Sequence, residues 1–147
     1  MNSIDDEIAI YWDLDHLPTT DAALVHSALA LAGLLGPLTV QRALGSPATH
    51  NSRLAQALER RGTELLLTLP SCGMTPRPPL QALHECLVQD LSLHPRVGRV
   101  VVVSAQRDLA PLKRFVQRAG RQWLRLRGAQ REPGSLPCGH APLFAAR

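Results

Sequence analysis

Aspartates stand at two places in this sequence where a divalent cation could be held. The first is Asp13-Leu14-Asp15-His16, directly after the apolar run Ile8-Ala9-Ile10-Tyr11-Trp12. The second is Asp108, in Ser104-Ala105-Gln106-Arg107-Asp108 after Val100-Val101-Val102-Val103. A hard cation such as Mg²⁺ takes a few carboxylates together with waters and phosphate oxygens. So placed, it can orient and deprotonate a water for attack on a phosphodiester. The alternative for each residue is structural: Asp13 capping a turn, and Asp108 at the N-cap or first turn of a helix, where capping and the dipole favour an acid.

These acids matter only if the chain brings the two strand ends together, and its patterning predicts that it does. Strand character over 7–12 is followed by cap residues at Thr19, Thr20 and Asp21 and an Ala/Leu-rich helix closing at Gly33 and Gly36. Residues 38–44 read as a second strand ended by Gly45-Ser46-Pro47, and Asn51-Ser52 cap a second helix that stops at Arg60-Arg61-Gly62. Thr63–Leu69 reads as a third, buried strand, and the proline-rich Pro70–Pro79 as a loop. Leu80, Leu83, Leu87 and Leu91 mark one face of a third helix. Arg99–Ser104 is a β-branched strand of the kind buried on both faces of a parallel sheet. A helix over 108–119 closed by Gly120, then a strand over 121–126, complete the alternation. Strict βα order predicts a single three-layer α/β/α domain over 1–127 with a mainly parallel five-stranded sheet. Residues 128–147 form a Gly/Pro-rich tail without period, expected to be partly disordered. Ligands of such sheets bind outside the carboxyl ends of the strands, near the switch in strand order.

Composition narrows the function. A chain of 147 residues with 45% hydrophobic content holds one domain. No apolar run approaches the roughly 18–20 residues that span a bilayer, and no signal-peptide pattern opens the chain. The expectation is a soluble, cytoplasmic protein. Cys72, Cys86 and Cys138 are odd in number and widely spaced, so neither a disulfide framework nor a zinc ribbon fits; Cys138 and His140 lack further ligands nearby. GxGxxG and GxxxxGK[ST] are absent, which leaves dinucleotide and P-loop readings without support. The net charge of +4 is unevenly spread: residues 1–95 carry 5 basic and 10 acidic side chains, residues 96–147 carry 11 and 2. A basic half, mostly arginine, fits a nucleic-acid partner as well as a solvated surface. Arg107, Lys113, Arg114 and Arg118 are the candidate phosphate contacts, most of them at helical spacing, with Arg121 continuing the series.

The segment Ile8–Leu17 resembles the opening of NYN domains, of the PIN-like nuclease superfamily, where the first strand runs into a D-x-(D/E)-N motif. Val100–Leu112 resembles the same family's later strand, followed by S-G-D-x-D-F and a proline-leucine helix start. Element order agrees over roughly 7–127. The resemblance implies a PIN-like fold and, for active members, Mg²⁺- or Mn²⁺-dependent ribonuclease chemistry on RNA. It assigns catalytic roles to Asp13 and Asp108, with Asp15 as a third metal ligand. His16 stands where asparagine is usual, Gln106 and Leu109 replace an aspartate and a phenylalanine, and Pro78-Pro79-Leu80-Gln81 lacks the family's acid before the fourth strand, Glu85 falling a turn late. A neutral amide attracts a hard cation less than a carboxylate does. The implied function is therefore an RNA-binding ribonuclease or a catalytically weakened relative. The alternative is a non-catalytic module that binds a protein partner or a second copy through the Leu-rich first helix (Leu24, Leu29, Leu31, Leu34, Leu35).

Overall fold

In the computed structural model, residues 7–18, 20–68 and 80–127 are described. Five parallel strands, β1 (Glu7–Asp13), β2 (Leu38–Gly45), β3 (Glu64–Leu67), β4 (Val97–Val103) and β5 (Gln122–Leu126), lie in the order β3-β2-β1-β4-β5. The helices are α1 (Ala22–Leu35), α2 (Pro47–His50), α3 (Arg53–Arg60), α4 (Gln81–Leu93) and α5 (Ala110–Arg118), with a 3₁₀ turn at Leu14–His16. This is the three-layer α/β arrangement expected from the alternation. The tail and the Pro70–Pro79 segment lie outside the described residues.

Side-chain alternation along β1 divides the interior in two. Ile8, Ile10 and Trp12 face α1 and α3, packing on Leu24, Val25, Ala28, Leu54 and Leu58. Ala9 and Tyr11 face the other way, onto Leu83 and Leu87 of α4 and Leu112 and Val116 of α5. Val100 to Val103 are buried on both faces of β4, as a β-branched run in a covered parallel sheet should be. Capping follows the local chemistry: Asp21 Oδ1 accepts from Leu24 N and Ser52 Oγ from Ala55 N. Gly62 and Gly120, at φ 90° and 81°, take the left-handed conformation that ends α3 and α5.

Two expectations are corrected. The third strand is not buried: it is an edge strand paired only with β2, with Glu64 and Leu67 exposed. An apolar run such as Thr63–Leu69 suits an edge covered on its faces as well as a central strand, so pattern alone did not rank it. The sequence Gly45-Ser46-Pro47, read as a simple break, instead starts α2, because proline is tolerated in a first helical turn.

Helix α4 carries a polar lock in an otherwise aliphatic interface. Asp90, 3% exposed, accepts from Tyr11 Oη of β1 at 2.9 Å and from Arg42 of β2 at Nε (2.6 Å) and Nη2 (2.9 Å). Arg42 also bonds Glu64 on β3, and Cys86 Sγ lies 3.4 Å from Asp90 Oδ2. The helix before β4 is thus pinned to β1 and β2, and Arg42 carries the link on to β3.

Candidate functional site

Strand order reverses between β1 and β4, so the crevice at their carboxyl ends is where a ligand is expected. Trp12 pairs with Val103 there, which puts Asp13 beside Ser104. Past Asp13 the chain turns sharply because Leu14, fully buried, anchors in the core beneath α1 and α3. The turn can lie flat on β2 because residue 45 is glycine: a Cβ there would stand 2.8 Å from Leu14 Cβ and collide with Thr49 Oγ1.

Asp13 is the hub of this end. Its Oδ2 accepts from Ser104 Oγ and from His16 Nδ1, each at 2.8 Å, and its side chain is 14% exposed. Ser104 Oγ in turn accepts from Gln106 N at 3.0 Å, and Ala105 N donates to His16 O at 2.9 Å. The β1 and β4 loops are stitched into one unit. In the neutral form of the ring, an Nδ1–H given to Asp13 leaves Nε2 of His16 as the acceptor nitrogen. Neither Ser104 nor His16 was among the expected site residues. His16 had been visible only as a departure from the motif.

The other two acids go elsewhere. Asp15 accepts from Ser46 N at 3.1 Å, Ser46 Oγ at 2.9 Å and Thr49 Oγ1 at 3.3 Å, tying the turn to the start of α2. Asp108 is exposed and its Oδ1 accepts from Ala110 N at 3.0 Å; it stands one residue before the N-cap of α5, Leu109, and so neither caps the helix nor lies in its first turn as weighed from sequence. Among the described residues, no three His, Cys, Asp or Glu side chains gather where they could share a metal ion. Mg²⁺ can bind through one or two carboxylates with waters, and of the three acids Asp13 keeps the more enclosed place.

The basic side chains divide by role. Arg107, Arg114 and Arg118 are exposed and Lys113 is half-buried, with no acid paired to any of them among the described residues. Arg121, expected to extend that face, instead donates to the carbonyls of Val97, Ala119 and Leu91. Arg99 bonds Gln122 and the Leu35 carbonyl. Arg125 was missed altogether. It is 8% exposed and donates to the carbonyls of Ser104, Gln106 and Arg107, bracing the β4–α5 loop from below. Burial, and then the nearby Arg127, hold its pKa below the usual arginine value. Its Nε and Gln106 Oε1 are buried without hydrogen-bond partners among the described residues, a cost of about 1–3 kcal/mol for each such group.

A solved structure of a protein of unknown function from Vibrio parahaemolyticus is similar to this chain, with a TM-score of 0.61 and 17% identity over 86% of this chain and 85% of that one. The shared feature is the fold. No protein-family model matches, and neither does any curated protein. Among the described residues no helix is long and apolar enough to cross a membrane.

Proposed function

We propose that this chain is an RNA-binding domain of PIN-like, NYN type whose metal-dependent cleavage is weak or lost. The observation that carries the reading is the crevice itself. Asp13 lies at the β1–β4 reversal, with the exposed Arg107 on the adjoining loop and Arg114 and Arg118 on the helix that follows. Arginine pairs bidentately with phosphate, and such contacts make binding steeply salt-dependent. Weakened catalysis is supported by how the acids are spent: Oδ2 of Asp13 holds two loops together, while Asp15 and Asp108 serve the starts of α2 and α5. A Mg²⁺ or Mn²⁺ ion would rely on Asp13 and waters, and would supply an oriented water to the phosphodiester.

The test pairs binding with cleavage. Fluorescence anisotropy with single-stranded and hairpin RNA is expected to show affinity that falls steadily between 50 and 300 mM KCl, roughly as the log-linear slope of several phosphate contacts. Incubation with Mn²⁺ is expected to give slow cleavage or none, and any cleavage should vanish in Asp13→Asn. Absence of RNA binding at low salt would defeat the reading.

A second reading, a protein-interaction module, draws on the exposure of Leu34 at 84%, Leu93 at 64% and Leu67 at 51%. Light scattering during size-exclusion chromatography separates it: a dimer that Leu34→Glu returns to monomer would favour self-association through α1.

A further inference from the structure

At its β5 side the sheet ends in a guanidinium that no acid bonds among the described residues. Arg125 lies in a strand between Leu124 and Leu126, more than nine-tenths buried, and its forks are given to backbone carbonyls of the loop above it. Its Nε–H is buried with no acceptor among the described residues. The acid on that loop, Asp108, directs Oδ1 to Ala110 N. Arg127, just past the end of β5, is exposed, and Arg107 is exposed on the loop that Arg125 braces. Carbonyl dipoles soften a buried cation without cancelling its charge. The half-buried Arg42 shows the usual solution, with Asp90 and Glu64 both bonded to it. Arg107, Arg125 and Arg127 thus stand near the carboxyl end of β5 with no acid bonded to them among the described residues, and open α/β folds bind ligands at that end of the sheet.

We propose that Arg107, Arg125 and Arg127 form a phosphate station at the end of β5, which takes one phosphodiester of a bound RNA strand. Arg107 and Arg127 supply the forks to the phosphate oxygens. Arg125 supplies the field beneath them and fixes the backbone of residue 107. The identity of the ligand rests on the RNA-binding reading above; the station itself does not.

Two measurements on the full chain separate these. The first is RNA affinity over a KCl series for the parent protein, Arg107→Ala/Arg127→Ala and, for comparison, Arg114→Ala/Arg118→Ala. The second follows the Arg125 Nε–H resonance by NMR while inorganic phosphate is added at constant ionic strength. The expected result is a loss of affinity of roughly 10-fold or more for Arg107→Ala/Arg127→Ala. Its log–log salt slope should fall by about one, as expected when one phosphate contact is removed. The parent resonance should shift saturably, and the shift should be lost in that double variant. Parent-like affinity and slope in Arg107→Ala/Arg127→Ala would overturn the station and leave RNA binding to α5. If the parent binds no RNA, the RNA reading fails and the phosphate titration decides alone: a saturable shift abolished by Arg107→Ala/Arg127→Ala sustains the station. No shift, or a non-saturating one, means an adventitious ion only and ends the proposal.

Discussion

Asp90 projects from α4 onto the sheet, away from the crevice, and accepts from side chains of two strands. Burial alone would raise its pKa; the hydrogen bonds from Arg42 and Tyr11 outweigh that and hold it below the ordinary carboxylate value. The same acid, after burial itself, pushes the Tyr11 phenol up, and burial and then Asp90 push the Cys86 thiol up to about 12. Cys86 is therefore a packed thiol with little nucleophilic character at neutral pH. Because the folded pKa of Asp90 lies below its unfolded value, the unfolded chain binds more protons in that range, and stability rises with pH there. Its contribution is complete above the unfolded carboxyl pKa, near pH 4, and is lost as pH falls through the lower folded value. Asp90→Asn leaves Arg42 half-partnered and should cost about 3–5 kcal/mol at pH 7. Urea midpoints measured from pH 7 down to 3 should then fall less steeply in the variant than in the parent. A parallel decline would show that Asp90 takes no part in the acid limb.

At the scale of elements, the site depends on how closely the Leu14–His16 turn approaches the end of β2. Gly45→Ala puts a methyl against Leu14 Cβ and Thr49. The turn must lift, and with it Asp15 and its bonds to Ser46 and Thr49. A cost of about 1–3 kcal/mol follows from overpacking, read as a lower thermal midpoint, together with weakened RNA affinity if Asp13 is displaced. Helix and strand placement was legible here because caps, glycine stops and β-branched runs are local signals. Asp21, Ser52, Gly62 and Gly120 each do what their type predicts. What could not be read was partnership between distant segments. Asp13 was legible as a strand-end acid, yet Ser104, 91 residues away, was not visible as its partner. Arg125 in Trp123-Leu124-Arg125-Leu126 looks like an outward-facing strand residue until the loop above it is in place. Asp90 did leave a trace, since it falls three residues after Leu87 and seven after Leu83, on the buried face of its helix.

For the whole molecule, the order β3-β2-β1-β4-β5 puts β1 at the centre between β2 and β4, of which β4 is the more buried, and leaves β3 as a short edge. Local opening costs least where few groups are buried. Amide hydrogen exchange should therefore be slowest in β1 and β4 and fastest, among the strands, in β3. Equal protection in β3 would contradict its place at the edge. The uneven charge also reads differently in three dimensions. Arg96, Arg99, Arg121 and Arg125 are engaged with the protein itself, so the uncommitted part of the basic half is smaller than the count of arginines suggests.

Placing the first strand at the centre has a consequence for how the chain is made. One side of β1 can pair with β2 soon after synthesis begins, but its other side waits for Val97–Val103. Until then the β1–β2–β3 half presents an open apolar edge along β1. Pairing that must await distant segments slows folding, and an unpaired edge is a site for wrong association. For this chain the hazardous interval closes only when the fourth strand has left the ribosome.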